Sequence, residues 1–294
     1  MPYGSGPVSF PGLGIFDLNI SRVAFRIFGM EIYWYGVIIA TGFLLGMILA
    51  TKLAERCGVN PDDLLTVALI AAPIAIAGAR AYYVATMWEN YDSLWEVVNL
   101  RDGGLAIYGG ILAGLVSMYV LCRWKKIPIA RALDCAAPAV ILGQAIGRWG
   151  NFFNQEAFGT ATTLPWRMEL VVGGVKMAVH PTFLYESLWN IAGCGLLLWV
   201  FSRRRFDGQV FWSYMGWYGF GRFFIEGLRT DSLYVGAYRI SQVLAAVLFV
   251  ASAAVLVLRL KKPAGVPEPE IEAELETQTG EPPDEEDAQI GDQD

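Results

Sequence analysis

Residues 32–54 read IYWYGVIIATGFLLGMILATKLA, and the one charge in those 23 residues, Lys52, falls near the end. A run this long and apolar meets the roughly 20 residues that a helix needs to cross a bilayer. Stretches 64–88, 105–124, 132–149, 182–202, 210–228 and 239–258 have the same character. Backbone polar groups in hydrocarbon must be satisfied within their own segment, and no barrel-like alternation appears, so the pattern predicts an all-α polytopic membrane protein of about seven transmembrane helices. Composition agrees, since 55% of the 294 residues are hydrophobic and only 17% are charged.

Orientation follows from where Lys and Arg fall in the short loops. Lys52 and Arg56 follow the first span, Arg123, Lys125, Lys126 and Arg131 join the third and fourth, Arg203 to Arg205 follow the fifth, and Arg259, Lys261 and Lys262 follow the seventh. Those ends are expected in the cytoplasm, which places the N-terminus outside and the C-terminus inside. The formal charge of −6 hides an asymmetry: residues 263–294 hold 12 of the 28 acidic residues and no basic one, whereas residues 1–262 hold 22 basic against 16 acidic. The expected organisation is an integral membrane domain over residues 1–262 and an acidic, disordered cytoplasmic tail over 263–294. The start of the chain lacks the marks of a removable signal peptide, so targeting is expected from an uncleaved span.

Residues 150–181 combine turn-forming Gly and Pro with two short apolar runs, which predicts a small, hairpin-bearing external head between spans four and five. Residues 15–28, with Arg22 and Arg26 among aliphatic neighbours, read as an amphipathic helix along the outer interface. Small residues four apart, Gly42 and Gly46, Gly110 and Gly114, Gly143 and Gly147, predict close helix packing. Cys57, Cys122, Cys135 and Cys194 form no metal or redox motif and read as small packing residues. The His-Glu-x-x-His zinc pattern, the Gly-x-Ser-x-Gly elbow and the phosphate loop are all missing, which disfavours protease and nucleotide-driven chemistry.

A charge inside a span is disfavoured by roughly 2.5–3.5 kcal/mol on insertion scales, so each needs a reason. Arg80, Arg148, Arg222 and Glu226 all fall toward the outer ends of their spans. Gln144, Arg148 and Asn151 share one helix face by their spacing, and Arg222, Glu226 and Arg229 repeat that spacing on another. Two polar stripes at one depth point two or three guanidiniums at one place, and guanidinium forms planar two-point bonds to phosphate or carboxylate. The bland alternative pairs Arg222 with Glu226 and lets Arg148 snorkel outward. His180 is the single histidine, at a loop-to-helix junction where a structural hydrogen bond is its commonest role. Tyr33, Trp34 and Tyr35 sit where an aromatic belt is expected anyway.

The run Gly147-Arg148-Trp149-Gly150-Asn151-Phe152-Phe153-Asn154-Gln155-Glu156-Ala157-Phe158-Gly159 resembles the signature of the prolipoprotein diacylglyceryl transferases. The similarity continues through Trp34-Tyr35-Gly36, Gly103-Gly104-Leu105, His180-Pro181-Thr182-Phe183-Leu184-Tyr185-Glu186 and Gly221-Arg222-Phe223-Phe224-Ile225-Glu226-Gly227-Leu228-Arg229. It implies a bacterial inner-membrane enzyme that moves the diacylglyceryl group of phosphatidylglycerol to the thiol of a preprolipoprotein lipobox cysteine, releasing glycerol phosphate. On that resemblance Arg148 and Arg222 would hold the lipid phosphate, Glu226, Arg229 and His180 would complete the network, Asn151, Glu156 and Gly159 would shape the signature loop, and Tyr35 would stand at its mouth. Tyr108 occupies the position where many members carry a histidine proposed as the base. A phenol is a poor base at neutral pH, so Tyr108 is expected to orient the acceptor while arginine lowers the thiol's pKa. The expected partners are phosphatidylglycerol, the lipobox peptide and the bilayer. Nucleic acid is not among them, and no metal, nucleotide or organic cofactor is expected. The competing readings are a transporter or flippase of an anionic lipid or solute, weakened by the lack of an internal repeat, and a noncatalytic scaffold.

Overall fold

In the computed structural model, residues 4–99, 103–232, 234–236 and 238–261 are described; the acidic stretch 263–294 lies outside them. The chain opens with strands β1 (Gly4–Phe10), β2 (Ile15–Leu18), β3 (Val23–Ile27) and β4 (Met30–Tyr33). Helices α1 (Trp34–Glu55), α2 (Pro61–Thr86), α3 (Leu94–Val98), α4 (Ile107–Trp124) and α5 (Ile129–Asn154) follow. Then come β5 (Met168–Val172), β6 (Val175–Val179), α6 (Thr182–Phe201), α7 (Gln209–Leu228), the short strands β7 (Tyr234–Val235) and β8 (Tyr238–Arg239), and α8 (Ile240–Leu260).

Seven helices among the described residues have 18 residues or more, and they coincide with the seven expected spans to within a few residues. Six of them are long and apolar enough to cross a membrane. The exception, α7, has 20 residues but carries Arg222 and Glu226. Large aliphatic and aromatic side chains such as Leu44, Ile76, Leu112 and Val250 stand exposed along α1, α2, α4 and α8, as befits a multi-pass membrane protein with lipid for solvent.

Glycine sets the closest helix contacts. The position of a Cβ on Gly42 lies 3.4 Å from the Gly143 carbonyl, and on Gly46 3.1 Å from that of Ala139, so α1 and α5 approach backbone to backbone. Ala79 and Ala75 face Gly110 and Gly114 in the same manner, joining α2 to α4. One apolar core, including Leu53, Cys57, Cys122, Cys135, Leu197 and Val210, fills the end where the basic loops gather. All four cysteines are buried and free. Asp134, fully buried on α5, accepts from Gly208 N (2.8 Å) and Phe211 N (2.9 Å), so a carboxylate from another helix satisfies orphan donors at the start of α7.

At the opposite end β1 leaves its neighbours β2 and β5 on either side, and β6 completes a four-stranded antiparallel sheet in the order β2-β1-β5-β6. The hairpin expected within 150–181 is β5–β6. Its turn, Gly173-Gly174, has φ of 57° and 82°, conformations that favour glycine. A second core of Val8, Phe10, Phe158, Met168, Leu170, Val179 and Phe183 lies beneath the sheet.

The amphipathic helix expected over residues 15–28 is not there. Those residues contribute β2 and β3, and β3 pairs with β4 through Arg26↔Glu31 and Ile27↔Met30. The alternation Val23-Ala24-Phe25-Arg26-Ile27 is rich in β-branched and aromatic side chains, and Phe28-Gly29, both with positive φ, closes a two-residue turn. Basic residues among apolar ones fit either period, and the turn decides for the strand.

Candidate active site

The C-terminal end of α5, the start of α6 and the end of α7 converge on one carboxylate. Glu186, 4% exposed, receives Arg148 from α5 (Nη2 to Oε2, 2.6 Å), Arg222 from α7 (Nη1 to Oε1, 2.9 Å) and Arg229 just beyond α7 (Nη1 to Oε1, 3.4 Å). Arg222 also reaches Glu226 with Nη2 at 2.5 Å. Arg229 forms a two-point pair with Asp231 at 2.9 and 2.7 Å, and Arg239 donates to the backbone carbonyl of Glu226. Three guanidiniums, those of Arg148, Arg222 and Arg229, thus stand against the carboxylates of Glu186, Glu226 and Asp231, and Arg239 is held beside them on a backbone carbonyl. Each guanidinium has five N–H donors, so these bonds fix the arginines without exhausting them. The result is a preorganised, partly desolvated guanidinium–carboxylate network with N–H donors to spare.

Local packing explains the convergence. Ser187 donates to the Ala145 carbonyl (2.9 Å) and accepts from Trp149 Nε1 (3.2 Å), which sets α6 against the α5 turn that carries Arg148. Phe152 stacks on Phe183 at 4.8 Å. Past α5 the signature loop is tied on every side: Thr182 Oγ1 donates to Ala157 O (2.5 Å), Gly159 N to His180 O (2.9 Å) and Thr160 N to Leu228 O (2.7 Å). A Cβ on Gly159 would lie 2.7 Å from that of His180 and 3.1 Å from the Leu228 carbonyl, so the approach admits only glycine. The αL conformation of Gln155 (φ 51°) turns the chain, and its side chain reaches the Gly6 carbonyl at 2.9 Å, tying the sheet to the loop.

Other expected residues lie outside this network. Asn151 and Asn154 both donate to Glu156 Oε1, at 2.9 and 3.2 Å. The Tyr35 ring lies over Gly150, where a Cβ would come within 2.6 Å of it. His180 Nδ1 is 3.2 Å from the Tyr185 hydroxyl, which accepts from Trp166 Nε1 at 2.8 Å. Burial lowers the His180 pKa, which favours the neutral ring. Gln144 donates to the Tyr214 hydroxyl (2.9 Å). Tyr108, on the first turn of α4, is 39% exposed and forms no hydrogen bond with the cluster among the described residues. Arg80 stands apart: buried on α2, it donates to the carbonyls of Glu96, Val97, Gly103 and Gly104 and so organises the loop before α4.

The Arg222–Glu226 pair of the bland reading exists, but inside a larger network. Sequence reasoning passed over Glu186 as a site residue, although an acid five residues into an apolar run is the same signal that singled out Glu226.

The family described as prolipoprotein diacylglyceryl transferase matches residues 22–258. The chain belongs to that family. Among relatives named phosphatidylglycerol--prolipoprotein diacylglyceryl transferase, the one from Finegoldia magna is 49% identical over 245 residues, covering 83% of this chain and 97% of its own length. That from Clostridioides difficile is 46% identical over 76% of this chain and 90% of its own, and that from Enterococcus faecalis 44% over 83% and 92%. The Glu186 cluster of this prolipoprotein diacylglyceryl transferase family member lies inside the matched region.

Proposed function

We propose that the cluster on Glu186 holds the phosphate of phosphatidylglycerol while the diacylglyceryl group passes to the cysteine thiol of a preprolipoprotein, the first step of lipoprotein maturation. The observation that carries this reading is the convergence of Arg148, Arg222 and Arg229 on one buried carboxylate. A sulfur–carbon bond forms at the terminal glycerol carbon of the diacylglyceryl group, and the bond from that carbon to the phosphate oxygen breaks. The electron pair leaves on glycerol phosphate, the thiol proton passes to that phosphate or to water, and the product is a thioether. Arg148 and Arg222 neutralise charge that grows on the departing phosphate, an effect worth on the order of 100- to 1,000-fold in rate for a single well-placed donor.

Glu186 and Glu226 hold these arginines in place, with Arg229 and His180 completing the wall. Asn151, Glu156 and Gly159 shape the loop beside it, and Tyr35 borders its mouth. Tyr108 orients the acceptor peptide. The lipid supplies its own leaving group, so turnover without added metal, nucleotide or redox cofactor is the expected result. The reaction takes place on the outer side of the bacterial inner membrane, with the N-terminus outside, residues 1–262 as the membrane domain and 263–294 as a cytoplasmic tail.

The test is transfer of labelled diacylglyceryl from phosphatidylglycerol to a lipobox peptide by the purified chain, beside Arg148→Ala and a peptide with Ser for Cys. Transfer that both controls eliminate supports the reading. Folded protein that binds the lipid and transfers nothing replaces it with transport.

A further inference from the structure

The cluster requires Glu186 on α6 to stand opposite Arg222 on α7, and just inside that pair lie two tryptophans. Trp189 and Trp217 stack with centroids 4.1 Å apart and planes 13° from parallel. Each indole N–H donates to the other residue's backbone carbonyl, Trp189 Nε1 to Trp217 O at 3.1 Å and Trp217 Nε1 to Trp189 O at 3.0 Å. Each ring also fills a gap left by a glycine on the opposite helix. A Cβ on Gly193 would overlap the Trp217 indole, and one on Gly221 would overlap that of Trp189. In both helices the tryptophan precedes its glycine by four residues, so ring and socket share one face.

We propose that this reciprocal exchange fixes the register of the α6–α7 hairpin, making Trp189, Trp217, Gly193 and Gly221 positioning residues for Glu186 and Arg222. Between membrane helices, apolar contact chooses poorly among alignments, because lipid is as apolar as the side chains it replaces. Two directional N–H···O bonds and two glycine sockets choose one. Gly221 precedes Arg222, and Trp189 lies three residues past Glu186, so a shift at the exchange is passed directly to the ion pair. A displacement of about 1 Å at a reacting centre can cost on the order of 100-fold in rate. The inference rests on the Glu186 cluster being the headgroup site.

The test compares Gly221→Ala, Trp189→Leu, their double variant and Trp189→Phe in the full-length chain, with Gly195→Ala as matched control because its added methyl meets open space. Melting temperature is read on each, along with kcat and KM for lipid at a temperature where every variant is folded. Gly221→Ala is expected to lower kcat about tenfold or more while KM moves less than about threefold. Gly195→Ala should change neither. Adding Gly221→Ala to Trp189→Leu should cost nothing further, since the colliding indole is gone. Trp189→Phe keeps a ring and loses the N–H; its kcat should fall severalfold, and it carries the test if Gly221→Ala does not fold. The inference is overturned if Gly221→Ala leaves kcat intact, if its penalty persists in full on Trp189→Leu, or if Trp189→Phe matches the wild type. Wild-type protein that melts cooperatively yet transfers nothing would instead sink the functional reading, and non-additive melting temperatures would still decide the register pin.

Discussion

Replacing Glu186 by Gln keeps the shape of the side chain but leaves three guanidiniums around a neutral acceptor. Breaking a buried ion pair from one side costs about 3–5 kcal/mol in stability, so Glu186→Gln should lower both the melting temperature and transfer. Arg222→Lys asks a different question. Arg222 spans Glu186 with one terminal nitrogen and Glu226 with the other, and an ammonium has no such fork. Its kcat should fall on the order of 100-fold with modest loss of stability; activity within threefold of wild type would remove Arg222 from the proposed phosphate site. Asp231 gives the acid limit. Burial alone would raise its pKa, but the two-point pair with Arg229 outweighs it and the carboxyl sits below its ordinary value. A depressed carboxyl contributes stability that is complete above the ordinary carboxylate pKa and is lost as pH falls through the folded one. Asp231→Asn should therefore flatten the acid side of the melting-temperature profile. At this scale the sequence was informative wherever a charge interrupted an apolar run, as at Arg148, Arg222 and Glu226. It could not assign partners: Arg80 carried the same signal and spends its donors on backbone carbonyls.

Helices of a membrane protein are legible because bilayer thickness fixes their length and hydrocarbon fixes their type. Segments at the interface obey neither constraint, which is why residues 15–28 read as a helix and form strands. The Gly173-Gly174 turn was readable because two glycines permit a two-residue hairpin. The contribution of β1 to the same sheet was not, since Gly4–Phe10 meets Met168–Val172 more than 150 positions away. The signature loop is likewise an element held by distant partners. Gly159→Ala drives a methyl into His180 and the Leu228 carbonyl, so it should push the loop off both α6 and the end of α7. Overpacking of this sort costs roughly 1–3 kcal/mol, and faster proteolysis within 155–165 than in the wild type is the expected sign. An unchanged cleavage rate would mean that the loop yields at no cost.

The two ends of the molecule differ in kind. One carries the Glu186 cluster and the sheet, and the other carries Lys52, Arg56, Arg123, Lys126, Arg203, Arg205, Arg259 and Lys261 on exposed positions. Basic residues near span ends are retained on the cytoplasmic side, so the asymmetry predicts that the cluster faces outward, as the proposed topology has it. All four native cysteines are buried, which leaves a quiet background for single-site thiol labelling. Phe28, at the tip of the β3–β4 turn, is 98% exposed, and Arg203 is exposed at the opposite end. A membrane-impermeant maleimide should label Phe28→Cys in intact cells and reach Arg203→Cys only after permeabilisation. The reverse pattern would invert the protein. The arginines would then face the cytoplasm, where a thiol acceptor exported across the membrane could not meet them.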